Sequence, residues 1–342
     1  MNRRVFLTNS AAQVTAGSFI LPLMAEQQVA DAMPCKLGIA STSYMTAWRP
    51  QDTFEFLEHC HALGAAGIQC AIHGDARKLR ARAAELGMYV EAMVPLPHGG
   101  DTSAFEESLK TAGEAGAVAV RSACLGTRRY ETFKSLDQWR EFVTVSNQSV
   151  AAAVPILERY KIPLGLENHK DWTADEMHAL LEKHSSEYLG VCLDFGNNIS
   201  LLDDPMYVVD KLAPYAVSTH LKNMSVEPYA DGFLLSEVLL GDGFLDLRRI
   251  ISLVRQSRPK TRFSLEMITR DPLKVPCLTD AYWTSFPDRS GIYLARTLKL
   301  VQRQHPSRPL PRMSQLSREE QLKTENENVV ACLRYARERL DL

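Results

Sequence analysis

The chain lacks three features that would each have placed it in a particular class of proteins. It has no excess of positive charge, because 39 lysines and arginines face 41 aspartates and glutamates, so composition gives no basic field for binding nucleic acid. It has no apolar run of the roughly 18 residues that a membrane-spanning helix needs. Its seven cysteines are scattered without a Cys-x-x-Cys pair, which excludes the usual pattern of a disulfide framework or a zinc knuckle. The remaining composition, 45% hydrophobic and 23% charged, is that of a globular protein.

Residues 1–32 differ in character from the rest of the chain. Arg3 and Arg4 stand side by side, Phe6 and Leu7 follow, and a mildly apolar stretch with small residues that could form a cleavage site comes next. The pattern resembles a twin-arginine export signal. This resemblance implies a periplasmic or otherwise exported protein, with the twin-arginine export machinery as a partner. A frayed basic N-terminus is the alternative, and the segment is left out of the fold prediction.

After Pro34, short runs rich in valine, isoleucine, leucine and alanine alternate with longer amphipathic stretches. Eight short runs are predicted to be strands: 36–43, 67–72, 88–94, 117–124, 162–168, 188–194, 216–223 and 262–268. Helical patterns lie between them, for example at 51–65, 75–87, 102–116 and 173–186. Gly64, Gly87 and Gly116 supply helix-ending signals just before strands.

This alternation predicts a parallel sheet with helices outside it. Eight repeats close a (β/α)₈ TIM barrel, and the span from about 36 to 304 fits the usual size of roughly 250 residues. An open doubly wound sheet is the rival, but the Gly-x-Gly-x-x-Gly fingerprint of its nucleotide-binding versions is absent after the first strand. We predict an α/β barrel domain at 33–310 and an extra C-terminal helix within an extension at 311–342.

Two segments lie outside the simple repeat. Residues 225–246, after the seventh strand, are too many for an ordinary connection, and they are predicted to cover the mouth of the barrel. The tail from Ser317 has helical periodicity and mixed charge. It is predicted to pack on the outside of the barrel or against a partner subunit, so a homo-oligomer is one expectation.

Four metal-competent residues fall at the ends of four successive predicted strands. Glu167 closes the fifth strand, Asp194 closes the sixth, and His220 and Glu266 lie near the ends of the seventh and eighth. Barrel enzymes keep their active sites at this C-terminal face. One such residue alone is usually a capping or hydrogen-bonded group, but four on successive strands predict a site for one divalent metal. Three carboxylates and one imidazole suit Mn²⁺, Mg²⁺, Co²⁺ or Zn²⁺.

The motifs around these residues resemble those of the xylose isomerase-like barrel superfamily, also called the sugar phosphate isomerase/epimerase family. The similarity runs over most of residues 36–300. The motifs that carry it are Leu-Glu-Asn-His at 166–169, Leu-Asp-Phe-Gly-Asn at 193–197, His-Leu-Lys-Asn at 220–223, Gly-Asp-Gly-Phe-Leu-Asp at 241–246 and Ser-Leu-Glu at 264–266.

The resemblance implies that Glu167, Asp194, His220 and Glu266 hold one divalent metal, for which Mn²⁺ is the first expectation and Mg²⁺, Co²⁺ or Zn²⁺ are alternatives. It also implies that Glu167 and Glu266 are catalytic. In the ketose epimerases of the family, one glutamate removes a proton beside the carbonyl and the other returns it, while the metal stabilises the enediolate.

The sequence departs from those epimerases where they carry a histidine three residues after the strand-six aspartate, because Asn197 stands there. Lys222 likewise stands where a different basic residue often assists. These departures leave the metal assignment intact and leave more than one reaction open. The residues predicted to bind substrate are Trp48, His98, Asn168, His169, Asn197, Lys222 and Arg270.

Several of these residues have a structural alternative. Trp48 could stack on a sugar ring or only pack against its neighbours, and His98 could contact substrate or shape its loop. Arg270 could belong to a salt-bridged loop. Arg121, in the fourth strand, could face a carboxylate or phosphate of the substrate, or form an ion pair in the core.

The leading functional expectation is a metal-dependent isomerase or epimerase that acts on a small-molecule sugar by proton transfer beside a carbonyl. A lyase or dehydratase acting on an oxidised (keto) sugar or glycoside is the alternative, because the same enolate can expel a neighbouring group. A sugar-binding protein without catalysis is a third possibility. An abasic-site endonuclease is disfavoured, because those enzymes need further metal ligands that are missing after His220, and because the charge balance predicts no nucleic-acid partner.

Overall fold

A closed barrel of eight parallel strands forms the centre of the described chain. The computed structural model describes residues 35–342 except 51, 305 and 307, so the predicted export signal at 1–32 lies outside the described residues. The strands are β1 (Leu37–Ala40), β2 (Gly67–Cys70), β3 (Tyr89–Met93), β4 (Ala119–Ser122), β5 (Leu164–Glu167), β6 (Leu189–Asp194), β7 (Ala216–Leu221), β8 (Asn223–Tyr229), β9 (Gly232–Val238), β10 (Phe263–Leu265) and β11 (Leu273–Val275). The barrel order is β1-β10-β7-β6-β5-β4-β3-β2. The predicted (β/α)₈ TIM barrel is confirmed.

Each of the eight predicted strands contains one barrel strand, but several predictions were too long at their C-terminal ends. The prediction at 36–43 was wrong for its last residues, because Ser41–Tyr44 form a 3₁₀ helix. The prediction at 216–223 joined two strands, because β7 ends at Leu221 and the chain enters β8 at Asn223. Polar residues at these ends leave the hydrogen-bonded ladder and turn toward the mouth of the barrel, which a hydrophobic pattern alone does not reveal.

Helices pack around the barrel as the sequence predicted. They are α1 (Thr53–Ala62), α2 (Ala76–Glu85), α3 (Ser103–Glu114), α4 (Arg129–Thr132), α5 (Leu136–Tyr160), α6 (Ala174–Lys183), α7 (Pro205–Leu212), α8 (Leu247–Ser257), α9 (Asp280–Trp283), α10 (Gly291–Arg303) and α11 (Arg318–Arg339). Gly64, Gly87 and Gly116 follow α1, α2 and α3 with φ of 75°, 67° and 71°. Glycine adopts this left-handed conformation without steric penalty, so each helix can end there and the chain can turn into the next strand.

The segment after β7 forms a second, smaller sheet. β8 and β9 make an antiparallel hairpin, and β11 pairs with β9 on its other side. Asn223, at the start of β8, fixes the turn that follows β9. Its side chain accepts from the backbone N–H of Leu245 at 2.9 Å and donates to the carbonyl of Leu240 at 2.8 Å. Asn223 and the Gly-Asp-Gly-Phe-Leu-Asp stretch therefore form one structural unit.

The C-terminal extension contains the predicted helix, α11, which begins at a capping box between Ser317 and Glu320. Its buried Glu325 accepts three backbone N–H groups from residues 46–48, in the connection that follows β1. The helix therefore packs on the barrel and holds this connection in place. Among the described residues, the structure contains no helix long and apolar enough to cross a bilayer.

Candidate metal centre

The strand register brings the four predicted ligands to one point at the C-terminal ends of β5, β6, β7 and β10. Asp194 and His220 are register partners, and so are His220 and Ser264, two residues before Glu266. Nδ1 of His220 lies 3.5 Å from Glu167 Oε1, 3.5 Å from Asp194 Oδ2 and 3.4 Å from Glu266 Oε1. One ligand atom from each residue lies within 4.8 Å of every other, and all four residues are buried.

The orientation of His220 is fixed from inside the barrel. Its Nε2 lies 2.6 Å from Oε1 of Gln69, and Gln69 donates through Nε2 to Glu91 at 2.8 Å. Ser218 also donates to Glu91, at 2.8 Å. Because a carbonyl oxygen can only accept a hydrogen bond, Nε2 of His220 carries a proton, and Nδ1 is the ring atom left to bind a cation.

Lys222 lies beside Asp194 and Glu266 and is completely buried. Its ammonium lies 2.7 Å from Asp194 Oδ2, forms an ion pair with Glu266, and lies 4.0 Å from Oε1 of Glu237 on β9. Glu237 in turn binds Arg270 at 2.7 Å. The small sheet thus contributes a carboxylate to the mouth of the barrel, and two predicted substrate-binding residues, Lys222 and Arg270, meet through it.

Glu167 is held by a second set of partners. Arg121 forms an ion pair with its Oε2, and the side-chain amide of Asn197 donates to its Oε1 at 2.9 Å. The carbonyl oxygen of the same Asn197 side chain accepts a hydrogen bond from the buried ammonium of Lys170. Asn197, which replaces the histidine of the epimerases, therefore joins Lys170 to a metal-competent carboxylate.

The remaining ligands are also oriented by hydrogen bonds. Oδ1 of Asp194 accepts the backbone N–H groups of Gly196 and Asn197 at 2.9 and 2.7 Å, which leaves Oδ2 directed at His220. The side chain of Asn168 makes two hydrogen bonds of 2.8 Å to the backbone of Asp194: it donates to the carbonyl oxygen and accepts from the N–H group. Thr42, in the connection after β1, donates to Oε1 of Glu266 at 2.8 Å.

The charges of the group shift the protonation of its members. Burial alone would raise the pKa of Glu266, but His220 and Lys222 outweigh it and hold that pKa well below its ordinary value. Burial opposes a charged imidazole at His220, but Cys192, Glu266 and Asp194 raise its pKa to about 10. Burial, together with Lys222 and Arg270, lowers the pKa of Lys170 to about 7. The neighbouring charges therefore decide which groups hold protons.

The residues present fit a divalent cation. Nδ1 of His220 is buried without a hydrogen-bond partner among the described residues, and Asp194 Oδ2 and Glu167 Oε2 have ion-pair contacts, with Lys222 and Arg121 respectively, but no hydrogen bond of acceptable geometry. A cation among the four residues would give Nδ1 a partner and the carboxylates a further counter-charge, and three carboxylates with one imidazole nitrogen suit Mn²⁺, Mg²⁺, Co²⁺ or Zn²⁺. The group can therefore hold one such ion.

The structure brings five of the seven predicted substrate-binding residues to this region: Asn168, His169, Asn197, Lys222 and Arg270. Trp48 instead packs in an aromatic cluster, with its ring centroid 5.0 Å from that of Tyr44 and 4.8 Å from that of His59. His98 is exposed in the loop after β3, where it forms a bridge with Asp101. Substrate binding by these residues stays a prediction.

Sequence reasoning missed five residues that contact the group or its partners: Thr42, Gln69, Glu91, Lys170 and Glu237. Glu91 could have been found, because it is a carboxylate within an apolar strand run, the same signal that singled out Glu266. Lys170 and Glu237 carried no comparable signal, since their positions depend on how the connections after β5 and β7 fold.

A groove of about 820 Å³ on the described surface lies elsewhere. It runs between α5 and α6 on the outside of the barrel and contains none of the four ligand residues. Buried, converging ionisable groups are a stronger sign of chemistry than the size of an external groove. We therefore take the four-residue group as the candidate functional site.

Comparisons with known proteins agree with the barrel fold. The family model described as xylose isomerase-like TIM barrel matches residues 57–283. A 3-oxo-isoapionate decarboxylase from Pectobacterium atrosepticum is 25% identical over 229 residues, which make up 65% of this chain and 75% of that protein.

Two solved structures share the fold. A D-psicose 3-epimerase in the presence of D-fructose is 14% identical, with a TM-score of 0.55 over 88% of this chain and 97% of that one. A xylose isomerase-like TIM barrel protein from Mycobacterium smegmatis in complex with magnesium is 18% identical, with a TM-score of 0.52 over 78% and 98% of the two chains. At these identities the structural likeness shows the fold alone.

Proposed function

Because the chain belongs to the xylose isomerase-like TIM barrel family, we propose that it is a divalent-metal-dependent enzyme that converts a small keto-sugar through an enediolate. The observation that carries this proposal is the convergence of three carboxylates on Nδ1 of His220 at 3.4–3.5 Å. A bound cation would polarise the substrate carbonyl and stabilise negative charge that develops on its oxygen. We propose Mn²⁺ as the first ion to test, with Mg²⁺ next, since magnesium is bound by one of the neighbours described above.

The first candidate reaction is that of a lyase, in which a substituent on the carbon beside the carbonyl, such as a carboxylate that departs as CO₂, leaves without its bonding electrons. These electrons form the enediolate, which then takes up a proton at the same carbon. Such a step needs no base to remove a proton from carbon. This matters because both glutamates are already engaged: Arg121 and Asn197 bind Glu167, while Thr42 and Lys222 bind Glu266. A carboxylate stabilised by donors in this way is a weaker base. The decarboxylase similarity supports the same choice.

Isomerisation or epimerisation is the second candidate, and it follows from the placement of the two glutamates. Glu167 at the end of β5 and Glu266 after β10 stand on either side of the β6–β7 pair. Two carboxylates that approach a substrate from different sides can remove a proton on one face and return it on the other. Asn197 and Lys222 would then take over the roles of the residues that they replace.

One experiment separates the two candidates. The purified protein, depleted of metal and then loaded with Mn²⁺, would be incubated in D₂O with free ketoses, 3-keto-glycosides and keto-sugar acids, and followed by NMR. A lyase would release CO₂ or another substituent, whereas an epimerase would exchange a C–H proton for deuterium without a change in carbon count. Metal-dependent turnover of neither kind would contradict the proposed function.

Two variants serve as controls for this experiment. Glu266→Gln removes a predicted ligand and should abolish turnover. Glu141→Gln makes the same chemical change on the exposed face of α5 and should leave turnover unchanged. Equal activity of the two variants would refute the assignment of the site.

We also propose that residues 1–32 direct export by the twin-arginine route, a proposal supported by the Arg3-Arg4 pair and the apolar stretch that follows it.

A further inference from the structure

The wall of the site next to Glu167 carries cations and unpartnered polar atoms. Lys170 is only 3% exposed and donates to Asn197, two hydrogen bonds away from Glu167. Nδ1 of His169 and Nε of Arg121 are buried without a hydrogen-bond partner among the described residues. His169 and Lys170 are consecutive residues in the connection that follows β5, and Arg121 lies on β4, the strand that pairs with β5. These three residues, His169, Lys170 and Arg121, form what we call the cationic wall.

Lys170 differs from the other cations of the site because it has no carboxylate of its own. Arg121 pairs with Glu167, and Arg270 pairs with Glu237. Lys222 pairs with both Asp194 and Glu266. By contrast, no carboxylate of the described residues lies within the 4.0 Å ion-pair distance of Lys170 Nζ, whose only side-chain partner is a neutral amide. Holding a buried cation without a counter-charge is unfavourable. The lowered pKa of Lys170, about 7, agrees with this cost.

Apart from the imidazole of His220, the carboxylates and cations around the site are equal in number before any metal is added. The carboxylates are Glu167, Asp194, Glu237 and Glu266, and the cations are Arg121, Lys170, Lys222 and Arg270. A divalent cation would leave two positive charges in excess, or one if the deeper Glu91 is ionised. Burial raises the pKa of Glu91 and so favours its neutral form. A neutral sugar would leave this excess uncompensated in a buried site.

We propose that the substrate is a sugar acid and that its carboxylate binds at the cationic wall, with Lys170 as its counter-charge. Lys170 supplies the charge, and the unpartnered nitrogens of His169 and Arg121 supply further hydrogen-bond positions. The inference rests on the proposed function for the location of the reacting carbonyl. It goes beyond that function by naming the ionic group that the substrate must carry.

Binding measurements without turnover test this inference. Isothermal titration calorimetry of the Mg²⁺-loaded protein would compare threonate, xylonate and gluconate with threitol, xylitol and glucitol, the matched neutral polyols. We expect at least one acid to bind at least about tenfold tighter than its polyol, because charge-assisted hydrogen bonds are stronger than neutral ones. In Lys170→Met, this preference should disappear, with polyol affinity changed by less than about twofold.

Two controls keep the result specific to Lys170. Lys110→Met makes the same change at an exposed position of α3 and should retain the preference for the acid. Titration of Mg²⁺ into Lys170→Met should give the wild-type affinity within about threefold, since Lys170 contacts none of the four ligands directly. If Lys170→Met fails to fold, equal binding of acids and polyols by the wild-type protein would still overturn the inference.

The possible outcomes separate this inference from the proposed function. Equal binding of acids and polyols by the wild-type protein, no binding of any acid, or a preference that survives in Lys170→Met would overturn the inference. Turnover of neutral keto-sugars with no preference for acids would also overturn it, while leaving the proposed function in place. A Lys170-dependent preference for acids without turnover of any keto compound would support the inference and count against the proposed reaction.

Discussion

Replacing Glu325 with alanine should release the connection that follows β1 and so weaken both the fold and the site. The Glu325 carboxylate is 1% exposed and accepts the backbone N–H groups of Thr46, Ala47 and Trp48 at 2.8, 3.0 and 2.8 Å. Hydrogen bonds to a charged group contribute about 1.5–3 kcal/mol each. Because Thr46 and Trp48 are only half-buried, water can replace part of the loss. We therefore expect about 3–5 kcal/mol of destabilisation.

A graded pair of variants makes this prediction specific. In Glu325→Gln, Oε1 can still accept two of the N–H groups, but the amide nitrogen would face the N–H of Trp48, so the loss should be about 1–2 kcal/mol. Glu327→Ala removes an exposed carboxylate from the same helix, where its pairing with Lys323 at 3.9 Å contributes at most about 1 kcal/mol.

Urea unfolding followed by circular dichroism would measure these differences, with thermal midpoints as a second reading at roughly 2 °C per kcal/mol for a chain of this size. A Glu325→Ala variant as stable as Glu327→Ala would refute the reasoning. The same change should also affect the metal site, because Thr42 lies in the released connection and donates to Glu266. Metal affinity should fall in Glu325→Ala and stay unchanged in Glu327→Ala.

Three further predictions concern the metal and the N-terminus. Glu266→Gln should weaken Mn²⁺ binding by at least about tenfold in calorimetry, and wild-type affinity would contradict its assignment as a ligand. The pKa of His220 is raised to about 10 without metal, so the metal-free site holds a proton below that pH. Metal binding at pH 7.5 should therefore release roughly one proton, and metal affinity should fall as the pH is lowered. Equal calorimetric heats of metal binding in buffers of different ionisation enthalpy would argue against this. Replacing Arg3 and Arg4 with lysines should retain an uncleaved precursor inside the cell, as fractionation and mass spectrometry would show, and normal processing would exclude the twin-arginine route.

The four metal-competent residues were predictable because two regularities coincide in them. The alternation of apolar runs with helical stretches locates the strand ends, and parallel strands deliver their C-terminal residues to a single face. Glu167, Asp194, His220 and Glu266 occupy equivalent positions in that repeat, so their convergence follows from the repeat. The same reasoning could have included Glu91, whose strand also carries a carboxylate among apolar residues.

The surroundings of the ligands were not predictable in this way, because they come from connections that have no periodicity. Lys170 lies three residues beyond Glu167, and in the sequence it is indistinguishable from a surface lysine. Glu237 reaches the site only because β9 folds back beside Arg270. Trp48 follows the first strand closely, and its ring packs against Tyr44 and His59, a contact that the sequence did not reveal. Tertiary packing of the connections decides each of these cases.

The ion pairs of Lys222 and Arg121 with the ligand carboxylates bear on how the protein matures. Carboxylates gathered at one point repel each other, and many metal sites therefore assemble only when the ion arrives. Here the protein's own cations relieve that repulsion, so the barrel can finish folding first and receive its ion afterwards. Divalent ions compete for a finished site in an order that favours copper and zinc over manganese and magnesium. If the chain crosses the membrane already folded, the compartment in which it folds, rather than the one in which it works, would select its metal.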